Sequence, residues 1–197
     1  MLHGRRISPL AIDLSHYRRS VTSLFSNLVT RPTGRAIRTG VESQIVEMEC
    51  VEASVCLSVL DFAQVRVLDY SCADEIVAKL LLRFQPEERP AEAYFVVRGL
   101  HEHHLEAIDA VLERHGLLLV SEAEGGGYDL LGPADPLQKA VWDALVRLDR
   151  AGPGQLSRET GIAEEAVAAA LGTLVARRVA VPHSDGTLSP VSSLLQG

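Results

Sequence analysis

The apolar positions change period once in the middle of the chain, and the elements on either side follow from that change. Val55, Leu57 and Val59 alternate with small or polar residues, as on a strand with one face inward, and Leu60, Phe62, Val65, Val67 and Leu68 thicken the run. At Asp69-Tyr70-Ser71 the period lengthens to about 3.6. Ile76, Val77, Leu80, Leu81 and Phe84 then form one helical stripe, with Asp74, Glu75, Lys79 and Arg83 largely off it. Ser71 stands where a helix N-cap belongs, and Asp74 three residues on completes a Ser-x-x-Asp capping box. The stretch predicts a buried strand, a polar turn and a core-packed helix.

The same reading extends to both ends. Leu14, Tyr17, Val21, Leu24, Phe25 and Leu28 follow helical spacing and predict a helical arm, broken by Thr30 to Gly34 around Pro32. A second helix is expected from about Gly34 to Ile45, with Ile37, Val41 and Ile45 inward and Thr33 as its cap. Val46 to Val51 and Val55 to Phe62 read as strands joined by a turn at Glu52-Ala53-Ser54. After the central helix, which should stop near Gln85-Pro86, come a strand at Ala93 to Val97 and a helix from about Glu102 to His115 closed by Gly116. Leu117 to Val120 is another strand, and Gly125-Gly126-Gly127 leads to a partner strand at Tyr128 to Leu131. This order argues an α/β fold with a mixed sheet and packed helices.

Gly132-Pro133 marks a boundary. Beyond it Leu137, Val141, Leu145 and Leu148 define one helix, Gln155 to Ile162 a short helix and turn, and Glu164 to Arg177 a third helix with Val167, Leu171, Leu174 and Val175 inward. Val179 to Val181 and Thr187-Leu188 flank Ser184-Asp185-Gly186, a strong hairpin signal. Three helices and a hairpin in that order predict a winged helix-turn-helix. The expected organisation is therefore a basic helical arm over 1–45, an α/β domain over 46–132 and a small winged-helix domain over 133–197.

Composition narrows the class. The chain of 197 residues is 47% hydrophobic and 23% charged, as in ordinary soluble proteins. No stretch approaches the roughly 20 apolar residues of a membrane span, and Arg5 and Arg6 are not followed by the apolar core of a signal peptide. Cys50, Cys56 and Cys72 lack any Cys-x-x-Cys pairing and read as reduced cytoplasmic thiols. The net charge of -7 hides a division: residues 1–41 hold seven arginines against Asp13 alone, while residues 42–133 hold eighteen acidic groups against six basic ones. Such a basic arm either serves an anionic partner or lies on its own acidic neighbour.

The central motif carries a family resemblance. Leu60-Asp61-Phe62, Val65 and Leu68-Asp69-Tyr70-Ser71-Cys72-Ala73-Asp74-Glu75 resemble the STAS-like family, relatives of the anti-sigma-factor antagonists, over about residues 46–132. In the antagonists a strand leads into Asp-x-Ser at a helix start, and a partner kinase phosphorylates that serine. Asp69 and Ser71 fall on this pattern. Cys72 stands where the antagonists usually have glycine. The resemblance implies a regulatory partner at a turn formed by Asp69, Ser71, Asp74 and Glu75, with Ser71 either a phosphorylated switch or simply a helix cap.

The remaining chemistry is sparse. His101-Glu102-His103-His104 is not His-Glu-x-x-His, because Leu105 occupies the second ligand's position, and it reads as a polar helix start. The glycine run lacks a phosphate loop's lysine, and no spacing singles out a nucleophile and base, so neither an enzyme nor a bound cofactor or metal is expected. The third helix of the winged unit opens Glu164-Glu165-Ala166, which favours the helix dipole but repels phosphate. Arg35, Arg38, Arg147, Arg150, Arg158, Arg177 and Arg178 are the candidate anion or nucleic-acid contacts. The sequence thus points to a cytoplasmic protein-interaction adaptor in the control of transcription or signalling. The alternative is a DNA-binding transcriptional regulator that uses the winged helix and basic arm. Homodimerisation fits either.

Overall fold

A computed structural model describes residues 17–49, 55–85 and 88–196. Four strands run parallel in sequential order: β1 (Tyr17–Leu28), β2 (Val55–Leu68), β3 (Ala93–Arg98) and β4 (Leu119–Glu122). β5 (Tyr128–Leu131) closes the sheet antiparallel to β4, so the architecture is α/β on a five-stranded mixed sheet. α1 (Arg31–Glu49) connects β1 to β2. Three consecutive pieces, Tyr70–Ala73, a π turn at Asp74–Ala78 and Lys79–Phe84, connect β2 to β3 and are called α2 together; α3 (Glu102–His115) connects β3 to β4. Because every crossover advances one strand in the same direction, right-handed connections put all three helices on one face.

That placement explains why β2 is buried without a break from Val55 to Leu60. Leu60, Phe62 and Val65 pack with Val41, Ile45, Ile76, Leu80, Phe84, Ile108 and Leu112 beneath the helices. Val55, Leu57 and Val59 point the other way, into a second core with Tyr94, Val96, Leu118 and Val120. A strand buried on both faces cannot alternate.

The second core belongs equally to the C-terminal elements: α4 (Pro136–Leu148), α5 (Pro153–Thr160), α6 (Glu164–Ala176) and a hairpin of β6 (Ala180–Pro182) and β7 (Leu188–Pro190). Trp142, Leu145, Leu156, Leu171 and Val181 pack into it. Arg178 fastens the joint. It follows α6 at φ 60, a left-handed position where glycine is usual, and Val179 N–H donates back to Leu174 O at 3.0 Å. Its side chain returns to the sheet, donating from Nε to Ala93 O at 2.7 Å, pairing with Glu92 and lying 4.1 Å over the Tyr94 ring. The molecule is thus layered as helices, sheet, then helices with a hairpin. No described helix is long and apolar enough to cross a membrane.

Two expectations are corrected. The region read as a helical arm is β1, with Ser20, Leu24 and Leu28 buried; Leu14 and the residues before it lie outside those described. Ser20, Leu24 and Leu28 lie four apart, an interval that shares one face on a strand as it nearly does on a helix, and the polar Thr22 between them hides the alternation. The opening hairpin is also absent from the described residues. Val46 to Glu49 continue α1, and the turn expected at Glu52-Ala53-Ser54, with Cys50 and Val51, lies outside them. The helix expected over 34–45 is present and longer, with Val41 and Ile45 fully inward.

Candidate functional site

The C-terminal ends of β1 and β2 lie side by side, with Asp69 N–H donating to Leu28 O at 2.8 Å, and this rim carries the Asp69-Tyr70-Ser71 turn. The cap is not Ser71. Asp69 has the extended backbone of a capping residue (φ -81, ψ 150), and its Oδ1 accepts the Ser71 N–H at 2.9 Å. β2 continues through two bulges to Leu68, so the helix begins at Tyr70 and the carboxylate before it reaches the orphan N–H groups first. Ser71 is only partly buried, and its Oγ has no hydrogen-bond partner among the described residues.

Asp74 and Glu75 do not line the rim. They turn inward on the π segment, with side chains 8% and 0% exposed. A buried carboxylate needs partners, and here α1, α3 and Lys79 of α2 itself supply them. Arg31 Nη1 lies 3.2 Å from Asp74 Oδ2 and 3.1 Å from Glu75 Oε1. Arg38 Nε donates to Glu75 Oε2 at 3.3 Å, and its Nη1 to Glu42 at 2.8 Å. Lys79 Nζ pairs with Glu75 and stands 3.6 Å from Asp74. His115 Nε2 is 3.0 Å from Asp74 Oδ1. Burial alone would push both carboxyls up; the His115 and Arg31 contacts at Asp74, and Lys79 with Arg38 and Arg31 at Glu75, outweigh it and hold both below their ordinary values. α1 can approach this closely because Gly34 faces it: a Cβ there would stand 3.0 Å from Glu75 Cβ and 3.1 Å from Cys72 Cα. Cys72 is fully buried, donates its thiol to Thr30 O at 2.9 Å, and burial pushes that thiol up. It is a packing residue.

The histidine run is a helix start. His101 stands at the N-cap of α3, its N–H donating to His104 Nδ1 at 3.1 Å, while His104 Nε2 donates to Val65 O at 3.0 Å. This fixes His104 as a neutral, buried tautomer, and burial followed by the nearby His103 lowers its affinity for a proton. Among the described residues no three His, Cys, Asp or Glu side chains gather as metal ligands. Because the folded state resists protonating His104, stability should fall as pH drops below its ordinary value of 6.5. His104→Gln should flatten the dependence between pH 7 and 5 in urea unfolding; an unaltered slope would show that another group titrates there.

The candidate basic residues do not converge. Arg35 is exposed on α1, whereas Arg38 is committed to Glu75 and Glu42. Arg147 pairs with Glu159 at 3.3 Å, and Arg150 holds the β6–β7 turn through Asp185 at 2.8 Å and Thr187 at 2.7 Å. Arg158 is exposed on α5, Arg177 lies beside Gly116 at the end of α3, and Arg178 is 9% exposed in the joint with the sheet. The exposed side of α6 offers Glu164, Glu165, Ala168, Ala169 and Gly172.

Sequence spacing marks Glu75–Lys79 and Arg38–Glu42 as helix pairs, four residues apart. Arg31 and His115 were missed, because they reach Asp74 from residues more than forty positions away. The same holds for Arg114, which donates to the Tyr70 hydroxyl at 2.9 Å beside Ser71. No protein-family model matches the chain, and no curated protein matches its sequence.

Proposed function

We propose that the chain is an intracellular regulatory adaptor whose α/β layer is a STAS-like interaction module and whose C-terminal helices and hairpin are a winged helix committed to that module. The observation that carries this reading is the division of labour at the rim. Asp69 does the capping, which leaves the Ser71 hydroxyl with no structural task among the described residues, partly exposed at the C-terminal rim of β1 and β2. A serine freed in this way is suited to meet a partner or to accept a charge.

The DNA-binding alternative has less support. Arg38, Arg147, Arg150 and Arg178 are engaged in ion pairs, and α6 presents two glutamates and small residues where a duplex calls for donors.

Three substitutions separate capping from partner contact. Asp69→Ala should cost about 0.5–2 kcal/mol of stability, while Ser71→Ala should melt like the parent. Ser71→Asp should keep the fold and change which proteins co-purify from the native cytoplasm, more than Ser71→Ala does. Recovery of the same partners by both Ser71 variants would end the adaptor reading at this turn. Salt-titrated binding to random duplex tests the alternative, since phosphate contacts impose a steep salt dependence.

A further inference from the structure

Ser71, Asp74 and Glu75 are three and four residues apart at the start of α2, so they share one face of the helix. A group added to Ser71 Oγ therefore stands about one turn from two buried carboxylates. Arg31 covers those carboxylates from α1. Nη1 alone serves both, and Nε and Nη2 of the same guanidinium have no partner among the described residues, with the side chain 45% exposed. Arg35 follows one turn later on α1, exposed and likewise without a partner among the described residues. It lines a shallow surface cleft together with Arg31, Pro32, Ala36 and Thr39.

We propose that Arg31 and Arg35 form the receiver for a phosphate carried on Ser71, so that modification ties α1 to the start of α2. This rests on the reading of Ser71 as a regulatory position. The modification is transfer of the γ-phosphoryl group of a nucleoside triphosphate by a partner kinase: the Ser71 Oγ–P bond forms, the bond from the γ-phosphorus to the β,γ-bridging oxygen breaks, the diphosphate leaves and the hydroxyl proton passes to solvent. The resulting phosphate carries close to two negative charges and three acceptor oxygens, beside Asp69, Asp74 and Glu75. Arg31 answers with its open Nε–Nη2 edge, the bidentate geometry that guanidinium offers phosphate, and Arg35 adds a second cation. The other nearby basic side chains are committed: Arg38 and Lys79 to Glu75, Arg114 to the Tyr70 hydroxyl and His115 to Asp74.

The test is a phosphorus NMR titration of the full chain with phosphoserine installed at position 71. The second ionisation of phosphoserine lies near about 6 in the open. The receiver should bring it lower in the parent, and Arg31→Gln and Arg35→Gln should each move it back up. Arg35→Gln matters most, since it leaves the buried carboxylates and their partners untouched. A phosphate that titrates at about 6 or above in the parent, that ignores both substitutions, or that responds only to Arg114→Gln overturns the proposal. A chain whose partners ignore Ser71 variants would refute the adaptor reading yet leave this titration unaffected, so the two failures are distinguishable.

Discussion

Deleting residues 1–41 is expected to leave a chain that does not fold. The basic N-terminal region reads in sequence as an arm, which could be removed with loss of binding alone, but its described part is an edge strand and most of a core helix. The deletion removes Leu24, Leu28 and Val41, each no more than 3% exposed, and uncovers Leu60, Phe62 and Val65 on β2. Truncating one buried leucine typically costs about 2–5 kcal/mol, so losing three such side chains with their backbone matches the roughly 5–15 kcal/mol that holds a domain together. It also strips Arg31 and Arg38 from Asp74 and Glu75, leaving two buried carboxylates with Lys79 and the His115 hydrogen bond. Circular dichroism and thermal melting of the truncated chain give the answer. A cooperative transition near that of the full chain would show that β1 and α1 are dispensable.

How much of this was legible depends on whether a signal was local. The β2–α2 stretch was readable because burial on both faces of β2 from Val55 to Leu60 writes a dense apolar run, and the helix after it keeps a clean stripe. β1 was not, because its buried residues Ser20, Leu24 and Leu28 fall at an interval of four that a strand and a helix share, and Ser20 and Thr22 are polar where a strand reading looks for apolar residues. Val46 suggested a strand by its β-branching, yet α1 carries it on an exposed face and anchors through Ile45 instead. The C-terminal elements were placed closely by their apolar stripes and by Asp185-Gly186, but their packing on the sheet was invisible, since it rests on contacts such as Arg178 to Glu92 across 86 positions.

The site divides the same way. The Asp69-to-Ser71 turn could be located, but which residue caps the helix depends on where β2 stops, and two residues of uncertainty exchange a cap for a free hydroxyl. Asp74 and Glu75 looked like surface acids crowding that turn because, Lys79 apart, their partners come from α1 and α3. Burying them has a consequence for regulation as well as for stability. A charge placed on Ser71 meets carboxylates already neutralised from α1, so the rim and the cluster share Arg31.

Glu75→Gln should be among the most damaging single substitutions in the chain. Glu75 is fully buried and accepts from Arg31, Arg38 and Lys79, so a neutral amide leaves three cations facing Asp74 and Glu42. Breaking one side of a buried ion pair costs about 3–5 kcal/mol. The lower end, about 3 kcal/mol, is expected here, because Arg31 and Lys79 are 45% and 35% exposed and regain water. The pH dependence fixes the cause. Since the folded carboxyl lies below its ordinary value of 4.5, its contribution is present above that pH and is lost as pH falls through the folded value. The gap between parent and variant in urea unfolding should therefore be full at pH 7 and narrow progressively below pH 4.5 as the parent's own Glu75 is protonated. A gap of the same size at pH 7 and pH 3 would mean that the amide disturbs packing and that the ionic partners contribute little.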